Sequence, residues 1–108
     1  MSILQAKEYK TFEAFYPFYL DQHREFGTRV THFIGTTLFL ALFITAFVTQ
    51  NWKLIPISIV CAYGWAWIGH FFIEKNKPAT FKYPWFSLKG DFKLYFEIIM
   101  GKQGFRGN

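Results

Sequence analysis

Cysteine is almost missing from this chain of 108 residues: Cys61 stands alone inside an apolar run, which excludes an intramolecular disulfide and any metal site built from several thiolates. Charge is scarce as well. Asp, Glu, Lys and Arg make up 18% of the residues, against roughly 25% in ordinary soluble domains. No glycine-rich phosphate loop, no G-x-S-x-G elbow and no suitable Cys–His arrangement occurs, so the usual signatures of phosphate binding and of serine or cysteine nucleophiles are absent. Zinc-finger, RNA-recognition and basic-zipper patterns are missing too, and the net charge of +5 is therefore not read as a nucleic-acid footprint. There is no internal repeat and no low-complexity linker.

Apolar and aromatic residues fill the space that charge leaves: 52% of the chain is hydrophobic and 23% aromatic, with 15 Phe, 6 Tyr and 4 Trp. From Phe33 to Thr49 no charge interrupts 17 residues, and from Leu54 to Ile73 none interrupts 20. Helices of roughly 17 to 25 such residues span the hydrocarbon core of a bilayer. Only Gln50, Asn51, Trp52 and Lys53 separate the two runs, which forces an antiparallel pair. The expected fold is therefore all-α, one integral membrane domain over residues 1–108: a two-helix transmembrane hairpin, spans about 33–49 and 54–73, flanked by amphipathic interfacial helices. Phe12, Phe15, Tyr16 and Tyr19 form one helical stripe outside the spans, and Phe92, Tyr95, Phe96 and Ile99 another. Pro17 and Pro56 are expected to bend or begin helices, and Gly27, Gly90 and Gly101 to break them.

Charge placement orients the hairpin. Eleven of the 12 Lys and Arg flank the spans, from Lys7 to Arg29 and from Lys75 to Arg106, while the connecting loop holds Lys53 alone. The positive-inside rule then puts both termini in the cytoplasm, on a bacterial inner membrane or on the endoplasmic reticulum. The charges before residue 33 do not read as a cleavable signal peptide.

Histidine occurs at His23, His32 and His70 only. With Asn51 as the turn, His32 lies 19 residues before it and His70 19 after, so both sit roughly 28 Å below the loop at one depth. His23, nine residues before His32, joins them only if the chain breaks near Gly27 and folds back. Glu74 follows His70 by four residues and would share its helix face. Histidine nitrogens with a carboxylate and open positions suit ferrous iron, and zinc accepts similar ligands. Ionisable groups at membrane depth are costly and usually functional.

The stretch Tyr19-Leu-Asp-Gln-His23, then His32-Phe-Ile-Gly35-Thr36, then Trp67-Ile-Gly-His70-Phe-Phe-Ile-Glu74-Lys-Asn76-Lys77-Pro78-Ala79-Thr80 resembles the 2-hydroxy fatty acid dioxygenase-like family. The likeness runs from about Thr11 to Gly101. A fungal member, in the endoplasmic reticulum, works in the conversion of phytosphingosine to odd-numbered fatty acids. The resemblance implies an iron(II)-dependent dioxygenase that shortens 2-hydroxy fatty acids by one carbon through alpha-oxidation, with Fe(2+) as cofactor, dioxygen as co-substrate and His23, His32 and His70 as metal ligands. On that footing Glu74 is expected as a fourth ligand or an orienting group. Arg29 or Lys77 is expected to pair with the substrate carboxylate, Asn76 to stand near it, and Trp67, Phe71 and Phe72 to touch the acyl tail. Larger members carry further membrane segments. Two helices enclose a lipid site poorly, so self-association is expected among membrane lipids. The rival readings are a non-catalytic hairpin that scaffolds a partner through a Gly64 and Gly69 face, and a soluble four-helix bundle.

Overall fold

Thr11 opens the first helix, its hydroxyl accepting from the Ala14 N–H at 3.1 Å, a cap that satisfies one of the free donors of the first turn. Helix α1 (Phe12–Asp21) carries Pro17 inside it and closes at Gln22. Helix α2 (Phe26–Thr49) begins seven residues before the uncharged run and so includes Arg29 and His32. It ends at Gln50, whose φ of 56° turns the chain in the left-handed region. Helix α3 (Leu54–Ile68) starts three residues beyond Asn51, with Pro56 in its first turn, where a missing N–H costs nothing. It continues into a π-helical segment, Gly69–Glu74, that stops at the left-handed Lys75, φ 63°. Helix α4 (Pro84–Ile99) opens on a proline and is followed by Gly101 at φ 78°. The structure, a computed structural model, describes residues 8–78 and 81–106; Lys7 of the basic flank and Ala79 and Thr80 of the motif lie outside them.

The described residues are all-helical, and two helices, Phe26–Thr49 and Leu54–Glu74, are long and apolar enough to cross a membrane. They pack along each other as the expected hairpin. Only 22% of the apolar window of the first and 17% of that of the second is buried. A soluble bundle would bury most of both, whereas here Ile44, Phe47, Val48, Ile57 and Val60 all face outward. Gly35 allows the close approach: a Cβ there would lie 2.9 Å from Trp65 Cβ and 3.1 Å from the Ala62 carbonyl.

The apolar core lies elsewhere, between α1 and α4, where Phe12, Phe15, Tyr16, Tyr19 and Leu94 are buried. Each fully buried aromatic contributes on the order of 1.5–3 kcal/mol. The first expected stripe thus forms the core. The second does not act as one face: Phe96 and Ile99 are exposed, and α4 instead buries Ser87, Gly90 and Leu94. The reason is that α4 has two neighbours, α1 and α2, with Phe92 set against Phe39 and Tyr95 against Phe33 of α2. Gly90 is no break; it lets α4 lie against the Tyr19 ring, which a Cβ would meet at 2.8 Å. Gly27 is likewise inside α2, and the chain breaks just before it, over residues 22–25. Gly69 packs against Thr28 and Thr31 of α2 while Gly64 faces open space, so the two do not form one docking face.

Candidate metal centre and its cavity

The break after α1 folds His23 back under the hairpin, where it meets His32 of α2 and His70 of the π-helical segment. All three are buried, at 1%, 8% and 2% exposure. Their ring centroids are 4.4, 4.5 and 4.9 Å apart and the rings stand nearly perpendicular to one another. One nitrogen from each lies within 4.8 Å of the others, so the group is able to hold a metal ion.

What lies behind the rings fixes their protonation. The Nδ1 atom of His23 is 2.7 Å from the Tyr19 carbonyl, and that of His32 is 3.0 Å from the Thr28 carbonyl. The Nδ1 atom of His70 is 2.7 Å from Asn76 Oδ1, and the Asn76 amide is oriented by donating to the Gln22 carbonyl and Oε1 at 3.2 and 3.0 Å. Three oxygen acceptors require three Nδ1–H donors, which leaves each neutral imidazole with its Nε2 lone pair free. This is the backing that metal-ligating histidines ordinarily have. His23 and His32 Nε2 stand 3.0 Å apart, a contact that two lone pairs make only around a proton or a cation. Two nitrogens at right angles about a metal, each at about 2.1 Å, would be about 3.0 Å apart. The donor set therefore fits a divalent ion. Burial, reinforced by the two neighbouring imidazoles, holds His23 well below the usual histidine range, which keeps it neutral and able to ligate.

Chain geometry makes this possible in two places. Gly69 brings the π-helical segment against α2 at Thr28 and Thr31, one turn from His32. At the end of that segment the left-handed Lys75 lets the Asn76 N–H donate to the His70 carbonyl at 2.9 Å, so Asn76 folds back beside the ring it orients.

The other expected site residues are placed differently. Glu74 is not in the group: its carboxylate accepts from the Glu25 N–H at the start of α2, where negative charge complements the helix dipole. A π-helix bonds i to i+5, which removes the α-helical register expected to set Glu74 beside His70. Arg29, 2% exposed, donates through Nε to the His23 carbonyl at 2.6 Å and through Nη1 to Gln103 Oε1 and the Gly104 carbonyl at 3.2 and 2.8 Å. It clamps the break and the C-terminal turn together. Lys77 is exposed. Phe71 and Phe72 point outward, at 43% and 73% exposure, whereas Trp67 lines the cavity described next.

Above the imidazoles opens a cavity of about 300 Å³, at the lower end of the range for small-molecule sites, roughly 300–1,000 Å³. Its walls are largely apolar: Phe39 and Phe43 from α2, Ile59, Tyr63 and Trp67 from α3, Leu88 and Phe92 from α4. Ile59, Tyr63, Trp67 and Leu88 are also more than a third exposed, which sets the mouth on the apolar flank of the hairpin. Sequence reasoning missed three polar groups here. The Tyr19 ring stacks on His23 at 4.0 Å, and its hydroxyl donates to Asp91 Oδ1 at 2.5 Å. Burial pushes the Asp91 carboxyl up to about 7 although the Tyr19 hydroxyl pulls it down. Ser87 stands one turn before Asp91 on α4, on the same wall; that i, i+4 spacing of polar residues beside Leu88 and Phe92 was the available signal.

The family description 2-hydroxy-palmitic acid dioxygenase Mpo1-like matches residues 9–103. The chain belongs to the Mpo1-like family. The matched region of this Mpo1-like chain contains all three histidines, Asn76 and every residue that lines the cavity. Neither the curated proteins nor the solved structures give a match.

Proposed function

We propose that this Mpo1-like chain is an integral membrane, iron(II)-dependent dioxygenase that shortens 2-hydroxy fatty acids by one carbon. The observation that carries the reading is the buried trio of imidazoles at the polar end of an apolar cavity. His23, His32 and His70 would hold the ion through Nε2. Ferrous iron supplies, when bound, the one-electron chemistry that lets dioxygen react with a 2-hydroxy acid and open positions at which both meet.

The residues of the chain do the rest. Tyr19, Thr28 and Asn76 hold the three Nδ1–H groups and so aim the lone pairs. The Phe39, Phe43 and Trp67 walls take the acyl chain and keep water away. The mouth on the hairpin's flank admits a lipid from the bilayer without passage through water. Dioxygen is the oxidant: the C1–C2 bond breaks, C1 leaves as carbon dioxide, C2 becomes the carboxyl carbon of the shortened acid, and the remaining oxygen leaves as water. The positive-inside distribution supports cytoplasmic termini and a metal centre near that face.

The test is metal analysis of detergent-purified protein with turnover of 2-hydroxyhexadecanoate under air and under nitrogen. Stoichiometric iron, a product one carbon shorter only in air, and loss of both in His23→Ala, His32→Ala and His70→Ala are expected. Protein that binds no iron and lipid products unchanged in those variants would instead support the scaffold reading.

A further inference from the structure

Most of the polar groups near the cavity are spoken for. The imidazoles face one another, Thr28 and Thr31 bond backbone carbonyls, and Arg29 is spent on His23 and the C-terminal turn. Ser87 is the exception among the buried ones. Its hydroxyl is the buried side-chain polar atom that has no hydrogen-bond partner among the described residues, at 2% exposure, and it lines the cavity. A buried hydroxyl left unpaired costs on the order of 1–3 kcal/mol, and such a cost persists where a ligand repays it.

Asp91 stands one helical turn further along the same wall. Carboxylates are rarely placed against apolar surfaces unless something binds them. Here the Tyr19 hydroxyl engages Oδ1, and the same Tyr19 ring lies flat on His23 at 4.0 Å. One tyrosine therefore separates the Asp91 carboxylate from the histidine trio, which sets Asp91 beside the imidazole end of the cavity, with Ser87 one turn before it on the same wall. The remainder of that wall is Leu88 and Phe92, which offer an alkyl chain no hydrogen bond. Gly90 lies between the two polar residues and admits the Tyr19 ring against α4, so the pair and its orienting tyrosine are built as one unit.

We infer that Ser87 and Asp91 form a hydroxyl-recognition station: Asp91 accepts from the 2-hydroxyl of the substrate, Ser87 bonds the same oxygen, and together they select 2-hydroxy acids over unsubstituted fatty acids. A site built to bond a hydroxyl discriminates strongly against the analogue that lacks it, because its own buried groups are then left unpaired. Tyr19 is a positioning residue for this station. The inference rests on the fatty-acid reading above for its ligand class, but it does not depend on the metal, because the station belongs to α4.

The experiment measures binding of 2-hydroxyhexadecanoate and of hexadecanoate to the full chain in detergent, by quenching of tryptophan fluorescence, with and without ferrous iron. Wild-type protein is expected to favour the hydroxy acid by ~10-fold or more, in the metal-free protein as well. Ser87→Ala and Asp91→Leu should each remove most of that preference while leaving the affinity for hexadecanoate within about 2-fold, and Asp91→Asn, which keeps an acceptor oxygen, should retain part of it. A preference that survives in both folded loss variants overturns the inference, and so does one that appears only with iron, or wild-type protein that binds neither acid. If the preference holds and falls as described while iron-loaded protein shows no turnover, the station stands and the dioxygenase reading fails. His32→Ala completes the separation: it should abolish metal binding and leave the preference intact.

Discussion

The two ends of the helical hairpin partition their residues in opposite ways. At the base, polar and ionisable groups are inside: His23, Thr28, Arg29, Thr31, His32 and His70 are all at or below 8% exposure. At the tip, large apolar groups are outside, with Val48 at 77% and Val60 at 70% exposure. The base is covered by α1 and α4, and carbonyls of α1, the break and the turn beyond α4 accept from its polar side chains; the tip has only its own partner helix. Burial in this chain follows what must be satisfied by hydrogen bonds, and exposure follows what a lipid can cover. The same two helices thus present an apolar outer surface at one end and form a protein interior at the other.

The comparison breaks most sharply at the imidazoles. His32→Ala should lower metal affinity by more than the roughly 100-fold that loss of a supporting residue costs, and Asn76→Ala, which frees the His70 Nδ1–H, should fall within about 10- to 100-fold; metal titration of the purified protein reads both. Equal effects would mean that Asn76 does more than orient. Next is the tip. Val60→Arg should disfavour membrane insertion by about 2.5–3.5 kcal/mol, read as the inserted fraction of the second span, whereas a surface that met water would change by no more than about 0.5 kcal/mol.

Glycine at the two ends gives a smaller contrast. Gly69→Ala should destabilise by about 1–3 kcal/mol, because a Cβ there meets Thr31 and the Thr28 backbone, and it should weaken metal binding by moving His70. Gly64→Ala, in open space, should be neutral or gain up to about 1 kcal/mol of helix propensity. Thermal unfolding in detergent separates them. A last contrast is in pH. The Asp91 carboxyl, raised to about 7 by burial, keeps a proton in the folded chain that an unfolded one with an ordinary value of about 3.9 has lost. Its contribution is fully present below about pH 4 and is lost as pH rises through about 7, by at most about 1.4 kcal/mol per unit. Asp91→Asn should therefore gain on wild type in unfolding stability as pH rises across that window.

Much of this was legible from spacing alone. The uncharged runs located both apolar helices, the four-residue turn paired them, and equal distance from Asn51 matched His32 with His70. The family motif named the same histidines. What spacing does not carry is local backbone geometry. The break that recruits His23 falls at residues 22–25, where no glycine marks it, and α2 extends back through Arg29 because a helix tolerates a buried arginine whose donors find carbonyls. The π-helical segment is invisible to a 3.6-residue period, so spacing sets Glu74 on the His70 face, whereas its carboxylate accepts from the start of α2. Ser87 and Asp91 lie off the aromatic stripe that the α4 periodicity shows, and a helix with two neighbours buries more than one face.

The position of His23 has a consequence for how the molecule is made. It is the earliest of the three imidazoles to be synthesised and the only one outside the two long helices, yet its neighbours arrive nine and 47 residues later in the chain. No growing polypeptide that stops short of His70 contains the complete trio. An ion held by this trio would accordingly be captured late in biogenesis, after both apolar helices have emerged, and would clasp the amphipathic N-terminal segment to them as the closing act of assembly.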